Sequence, residues 1–272
     1  MKFINKIIIL FLMTAYLNAE SLQENIENFV GQKTYKINKF LIYNLFKEEN
    51  NFYLGKKLRY IKIFKILKEN GLLHIKYNSA KDINIVFESQ DKTIKTIKTV
   101  KDILLNLGYS YYFTKSITRI DSNLKWEINF KSESMLDPLV FLKELSKLNV
   151  KVLNIKKINN TKWKYKIDVN YVSILNSIDI AKNEVIKLKK PHRDYVIKVN
   201  DAHKLKIMSH RLNEWYPSLT FYDKDLSLIG FVEQNRIYKG IKLEIPNGTK
   251  YILISDTYNL INIKRGLTII VR

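Results

Sequence analysis

The chain of 272 residues contains no cysteine. Thiolate catalysis, disulfide bonds and an anchor on a lipid-modified cysteine are therefore excluded, and the fold must stand on packing alone. Glycine is scarce at eight residues, and no glycine-rich loop of the kind that cradles phosphate is present. The four histidines, His74, His192, His203 and His210, are dispersed, with no HExxH helix and no cluster of carboxylates beside them. No serine sits in a nucleophile elbow. Asp223 and Asp225, with Asp201 or Asp256, offer oxygen ligands for calcium, but hairpin turns account for the first two more simply. The chain therefore reads as non-enzymatic, with no cofactor, no metal and no small-molecule substrate. Acidic residues are also in deficit, 26 against 47 Lys and Arg, for a net charge of +21.

What is present begins with Lys2 and Lys6 ahead of an apolar run, Ile7 to Leu17, that ends at Asn18 and Ala19. This is the pattern of a secretory signal peptide, and the run is too short to span a bilayer comfortably. Cleavage is expected after Ala19, with an uncleaved N-terminal membrane anchor as the alternative because Leu17 stands where a small residue is preferred. Export without disulfides fits a bacterial periplasm. A basic surface attracts nucleic acid, acidic lipid head groups or acidic polymers. The lysines are, however, spread over every element in an Ile- and Asn-rich chain, which is also what an AT-rich genome produces.

Three helix ends resemble one another: "ILKENGLLHIKY" from Ile66, "ILLNLGYSYYFT" from Ile103 and "ELSKLNVKVLNI" from Glu144. In each, an apolar helical tail meets Gly71, Gly108 or Asn149, residues suited to a left-handed helix stop, and an alternating strand follows. A second strand comes after each, in "DINIVFES", "WEINFKSE" and "WKYKIDVN". Ser89 to Asp91 and Asp137-Pro138 carry capping chemistry for the second and third helices. Their apolar stripes are Ile97, Val100, Ile103, Leu104 and Leu107, then Leu139, Phe141, Leu142, Leu145 and Leu148. The spacing predicts three α-β-β units over residues 57–190. From Asp82 to Ile155 the order β-α-β-β-α-β predicts a ferredoxin-like four-stranded antiparallel sheet, with Trp163 to Tyr171 adding a strand at its edge.

The stretch "WEINFKSESMLDPLVFLKELSKLNVKVLNIKKINNTKWKYKIDVNY" resembles the ferredoxin-like periplasmic domains of the inner-membrane alignment proteins of type IV pili and type II secretion systems. The resemblance implies an assembly part that pairs with its own kind. The long transmembrane helix and coiled coil of that family are missing from this chain.

Near "KLKKPHRD", Lys187 to Asp194, short strands replace helices, which places a boundary at about residue 190. Strands are predicted at Tyr195–Val199, Lys204–Met208, Leu219–Tyr222, Leu226–Glu233, Lys239–Ile245, Tyr251–Ser255 and Leu267–Val271, making residues 191–272 a β-sandwich. "SLTFYDKDLSLIGF", "IPNGTKYILISD" and "GLTIIVR" are similar to the jelly-roll domains that end many secreted bacterial proteases and envelope proteins, which implies binding or stabilising. The fold class expected is thus α+β, a ferredoxin-like α-β-β repeat domain followed by an all-β sandwich.

Residues 20–56 form a helical basic lead segment. From Lys33 onward it suits either an anionic membrane or, through Ile37, Phe40, Leu41 and Phe46, packing on the first repeat. Tyr109, Tyr111, Tyr112, Phe113 and Trp126 offer outward stacking, although strand alternation puts Tyr112 on the face opposite Tyr109, Tyr111 and Phe113. Candidate partner or polymer contacts are Lys151, Lys156, Lys157 and Lys164 in the third unit, and Trp215, Tyr216 and Tyr222 in the sandwich. The expected function is a non-catalytic periplasmic scaffold or adaptor of an envelope machine (pilus, secretion system or flagellar motor), bound to a periplasmic or inner-membrane protein complex or to copies of itself. The alternative is a binding module for an anionic or glycan polymer such as peptidoglycan, surface polysaccharide or incoming DNA. N-terminal sequencing of the protein recovered from the periplasmic fraction should begin at Glu20; an intact Met1 in the cytosol would overturn the reading of the compartment.

Overall fold

The computed structural model describes residues 21–90, 92–172, 174 and 177–272. The expected signal segment and Asp91 lie outside these. The lead segment forms α1 (Leu22–Val30), α2 (Gln32–Ile37) and α3 (Lys39–Phe46), then a hairpin of β1 (Tyr53–Leu54) and β2 (Lys57–Leu58), then α4 (Tyr60–Glu69). Ser21 and Glu24 start α1 with a reciprocal capping box: the Glu24 carboxylate accepts from Ser21 N–H at 2.7 Å, and Ser21 Oγ accepts from Glu24 N–H at 3.2 Å.

The first sheet consists of β3 (Lys76–Gln90), β4 (Phe113–Ile120), β5 (Asn123–Ser134), β6 (Lys151–Asn159) and β7 (Lys162–Asp168). Helices α5 (Thr93–Asn106) and α6 (Pro138–Lys147) cross over one of its faces. Gly71, Gly108 and Asn149 follow α4, α5 and α6 with φ of 67°, 88° and 58°, the left-handed stops expected. Asp137 caps α6, its carboxylate accepting from the N–H groups of Leu139 and Val140. Ser89 does not cap α5. Its hydroxyl instead pairs with Thr96 at 2.8 Å inside the protein.

Two of the three expected α-β-β units form. In the first, the two strands expected around Tyr77 and from Asp82 merge into the single 15-residue β3, with a register irregularity between Lys76 and Lys81. Strand order is β4-β5-β3-β7-β6, with β3 antiparallel to β5 and parallel to β7. This differs from the expected four-stranded antiparallel sheet, because β7 sits between β3 and β6 instead of joining an edge. Burial supplies the reason. Trp163, Tyr165 and Ile167 of β7 are nearly inaccessible, whereas β6 fully buries only Ile155 and leaves Leu153 and Ile158 outward. The strand with more apolar surface to hide takes the interior position.

Under the helices, Ile83, Ile85 and Phe87 of β3 and Leu124, Trp126, Ile128 and Phe130 of β5 alternate into one core, joined by Leu22, Ile26, Phe29, Ile42 and Phe46 of the lead segment. Aromatic rings dominate it. The Trp163 ring lies 6.2 Å from Phe29 and 5.9 Å from Phe64, and Phe87 lies 5.5 Å from Trp126 and 5.8 Å from Phe141. Each such pair adds about 1 kcal/mol beyond its buried area.

The second domain is a sandwich. One sheet has the order β13-β12-β15-β10-β8 and the other β14-β11-β16-β9. Its strands are β8 (Ser177–Ile180), β9 (Val185–Lys187), β10 (Tyr195–Val199), β11 (Lys204–Ser209), β12 (Pro217–Tyr222), β13 (Leu228–Glu233), β14 (Gly240–Glu244), β15 (Tyr251–Asp256) and β16 (Leu267–Val271). Ile197, Phe221, Ile252 and Ile254 from one sheet meet Leu205, Ile207, Ile269 and Val271 from the other in a single core. All seven expected strands form. Two more, β8 and β9, pair with β10 and β16, so the sandwich starts at Ser177 rather than near residue 190. Periodicity alone does not distinguish such short strands from loop.

Contact between the domains runs through the start of α5. Lys92 Nζ pairs with Asp225 of the sandwich at 2.6 Å, and within the first domain the buried Lys95 next to it donates to Asn170 O at 3.3 Å. Burial holds the Lys95 ammonium below its usual range, partly offset by the charge of Asp225.

Gly266 tests the sandwich packing. Its φ is +79°, and a Cβ there would lie 1.9 Å from the Leu188 carbonyl oxygen. Gly266→Ala is expected to cost about 3 kcal/mol in urea unfolding, from backbone strain plus the clash. Gly55→Ala, at φ +61° with open space around it, should cost about 1 kcal/mol.

Candidate functional site

Among the described residues no three of His, Asp and Glu gather in a way that would hold a metal ion. His74, His192, His203 and His210 are all exposed and apart. Three of the acidic residues weighed for calcium, Asp223, Asp225 and Asp256, serve the backbone or the domain contact, and Asp201 is exposed. Asp223 Oδ1 accepts from Asp225 N–H at 2.7 Å and Ser227 N–H at 2.8 Å, Asp225 pairs with Lys92, and Asp256 accepts from the N–H groups of Tyr216, Tyr258 and Asn259. The strongest shifts in proton affinity belong to tyrosines: burial pushes Tyr195 up to about 12 and Tyr165 further.

What the molecule offers instead is surface. The sheet of the first domain has one face under helices and one open. The open face carries Lys125, Glu127 and Asn129 of β5, Asn84, Val86 and Glu88 of β3, and Lys162, Lys164 and Lys166 of β7. Glu127 is its electrostatic centre: Lys162 donates to both carboxylate oxygens at 2.9 and 3.0 Å, and Lys115 lies 3.4 Å away. Burial alone would raise the Glu127 carboxyl. The hydrogen bonds and charges of Lys162 and Lys115 outweigh it, and the net displacement is downward. Lys164 pairs with Glu88 at 3.5 Å.

The two edges of this sheet differ. At β6 the side chain of Asn28 on α1 acts as a substitute strand, its Nδ2 donating to Lys157 O at 2.9 Å and its Oδ1 accepting from Lys157 N–H at 2.8 Å. That satisfies one residue of the β6 edge, while Leu153 and Ile158 stay outward along it. At the other end β4 pairs with β5 alone, and all eight of its residues are exposed, Phe113, Ile117 and Ile120 among them. An unpaired edge with outward apolar side chains is a template for strand addition.

The four candidate lysines do not form one patch. Lys156 and Lys164 lie cross-strand on β6 and β7. Lys151 stands at the start of β6 with its ammonium 4.3 Å from the Tyr171 ring. Lys157 turns inward and donates to Phe29 O at 3.3 Å, near the C-terminal end of α1; burial lowers its proton affinity. It belongs to the fold and keeps only partial exposure. The aromatic candidates divide similarly. Trp215 is fully buried and donates to Ser255 O at 2.9 Å, so it is core and not a sugar platform. Tyr222 packs on Ile174, Leu226 and Tyr251 beside the linker. Tyr216 is half-buried and meets the exposed Tyr258 edge-on at 4.8 Å, a partner that sequence reasoning missed. Of the five aromatics considered for stacking, Tyr111 and Phe113 are exposed, while Trp126 is core and Tyr109 and Tyr112 lean on Phe130 and Trp126.

The sandwich adds a shallow groove of about 270 Å³ on the outside of its four-stranded sheet. Lys204, Lys206, Lys242 and Arg272 line it, and Glu244 is its single acid.

No protein-family model matches the chain, and no curated protein matches it. Among solved structures, the pre-peptidase C-terminal domain of a collagenase from Bacillus anthracis is similar at 16% identity and a TM-score of 0.24, covering 35% of this chain and 94% of that one. The sandwich assignment rests on the two facing sheets themselves. No described helix is long and apolar enough to cross a membrane.

The open face makes a pH prediction. With its folded value depressed below the ordinary 4.5, the Glu127 carboxylate stabilises the fold fully above that ordinary value, and the contribution is lost as pH falls through the depressed one. Glu127→Gln should therefore lower stability at neutral pH by about 1 kcal/mol and flatten the acid limb of a urea-unfolding series. An unchanged acid limb would overturn the assignment.

Proposed function

We propose that the protein is a non-catalytic periplasmic scaffold or adaptor of a bacterial cell-envelope machine, of the pilus, secretion or flagellar-motor kind, and that the β4 edge is where its protein partner adds a strand. The observation that carries this reading is the contrast between the sheet's two edges: Asn28 occupies the β6 edge at Lys157, whereas the exposed β4 has nothing across from it among the described residues. Proteins ordinarily blunt such edges, and β4 carries Lys115, Arg119 and a register shift between Thr114 and Ser116, but its exposed Phe113, Ile117 and Ile120 leave apolar surface for a partner to cover. In this reading the two α-β-β units act as a diverged ferredoxin-like pairing module, and the partner is a periplasmic or inner-membrane complex or a second copy of the chain. Backbone hydrogen bonds would supply the affinity, and pockets for Phe113, Ile117 and Ile120 the specificity.

A second reading, binding of an anionic envelope polymer, is favoured by the groove of Lys204, Lys206, Lys242 and Arg272.

One experiment separates the two. Ile117→Lys puts a charge at a half-exposed edge position, where it should leave stability within about 0.5 kcal/mol. Crosslinking in intact cells followed by co-purification is expected to show partner recovery reduced about tenfold by this variant and little affected by moderate salt. Recovery insensitive to Ile117→Lys but abolished by salt, or by Lys206→Glu with Lys242→Glu, would overturn the edge reading in favour of the polymer.

A further inference from the structure

The lead segment has two faces, and the fold uses only one. Ile42 and Phe46 of α3 are fully buried in the core of the first domain, with Tyr35 and Leu45 packed partly against it. On the other side, Ile37 is 72%, Phe40 80% and Tyr43 63% exposed, with Leu41 next to them at 39%. Ile37, Phe40 and Leu41 follow the spacing of one helical face even though Asn38 interrupts the helix between α2 and α3. Long apolar side chains at this level of exposure are costly in water, and clustered ones mark a contact surface.

Charge indicates what the surface meets. From Asn28 to Lys47 the sequence has no Asp or Glu, and it carries Lys33, Lys36, Lys39 and Lys47, all four exposed. An apolar ridge fringed by Lys33, Lys36 and Lys39, with acids only beyond its ends at Glu27, Glu48 and Glu49, complements a bilayer surface: apolar side chains reach the acyl boundary while the ammonium groups extend to acidic head groups. The position in the chain agrees. This stretch begins one short helix after Glu20, the expected start of the exported chain, and so lies near its N-terminal end.

We infer that α2 and α3 form an interfacial membrane-docking face that inserts Ile37, Phe40 and Leu41 into the head-group boundary of an acidic lipid surface. Docking here is peripheral and reversible, and it is independent of the β4 edge. The occupant is lipid, and its recognition chemistry is an anionic phosphate head group above hydrocarbon.

The test uses the full chain and vesicles of phosphatidylglycerol with phosphatidylethanolamine, compared with phosphatidylcholine alone. The native tryptophans Trp126, Trp163 and Trp215 are all buried, at 2%, 1% and 0% exposure, so a reporter introduced by Phe40→Trp stands out against them. Its emission should shift to the blue on the acidic vesicles and be quenched by brominated acyl chains, with little change on the neutral ones. Ile37→Ser with Phe40→Ser should lower partition onto acidic vesicles by about tenfold or more, with the unfolding midpoint unchanged because both side chains are exposed. Reversing Lys33, Lys36 and Lys39 to Glu should remove the preference for acidic lipid. A reporter that does not respond to vesicles overturns the inference. So does a serine pair that binds as well as the wild type, which would assign any binding to the N-terminal apolar run or to lysines elsewhere. A blue shift that depends on protein concentration without lipid also overturns it, since the face would then be an interface between copies.

Discussion

The parallel pairing of β3 with β7 is the constraint on which the first domain depends. β3 and β7 lie side by side in parallel, each with an antiparallel neighbour on its other side, β5 and β6 respectively, and the inward residues Ile83, Ile85 and Phe87 of β3 lie between Trp126 on one side and Trp163 and Tyr165 on the other. Parallel strands are at home where helices cover them. Here α5 and α6 cover that face, α4 contributes Phe64, and α1 closes the stack with Phe29 against Trp163. The lead segment is thus part of the core rather than an appendage to it.

Once β7 holds the interior, the two edges follow. β6 is pushed outward, where Asn28 satisfies the backbone groups of Lys157 and Lys157 in turn reaches the end of α1. A side-chain amide carries both a donor and an acceptor, so it can replace one residue of a missing strand. β4, at the opposite end, has no such cover among the described residues. The asymmetry leaves β4 the more exposed of the two edges, which is what a docking edge requires.

Charge is distributed on a different plan. Lysines on the open sheet face are partly neutralised by Glu88 and Glu127, whereas the groove of the sandwich and the exposed side of α2 and α3 have few or no acids nearby. A high net charge therefore does not make a uniformly attractive surface. Local balance decides where an anionic partner gains most, since exposed charges farther apart than about 10 Å are largely screened at ordinary salt. The contact between domains uses the same chemistry sparingly, in Lys92 with Asp225.

Local signals were legible wherever one residue sets one local geometry. Gly71, Gly108 and Asn149 mark the helix stops, Asp137-Pro138 marks the start of α6, and alternation locates the seven sandwich strands from Tyr195 to Val271, because dihedral preference and period act over a few residues. Pairing partners were not legible. Whether Trp163 to Asp168 lies at an edge or in the interior, whether residues 76–90 make one strand or two, and whether Ser177–Ile180 and Val185–Lys187 join the sandwich all depend on competition for apolar cover among strands distant in sequence. The same holds for the candidate contacts. Trp215 has the composition of a surface binder and was removed from the surface by the sandwich core, Lys157 was engaged by α1 and left partly exposed, while Tyr258 and the β4 edge gained their positions from neighbours far along the chain. Composition and period by themselves determined the element types, the absence of thiol chemistry and the basic character of the chain. Only the tertiary structure decided which faces and edges stay open, because exposure belongs to the packed whole and is not carried by any one segment.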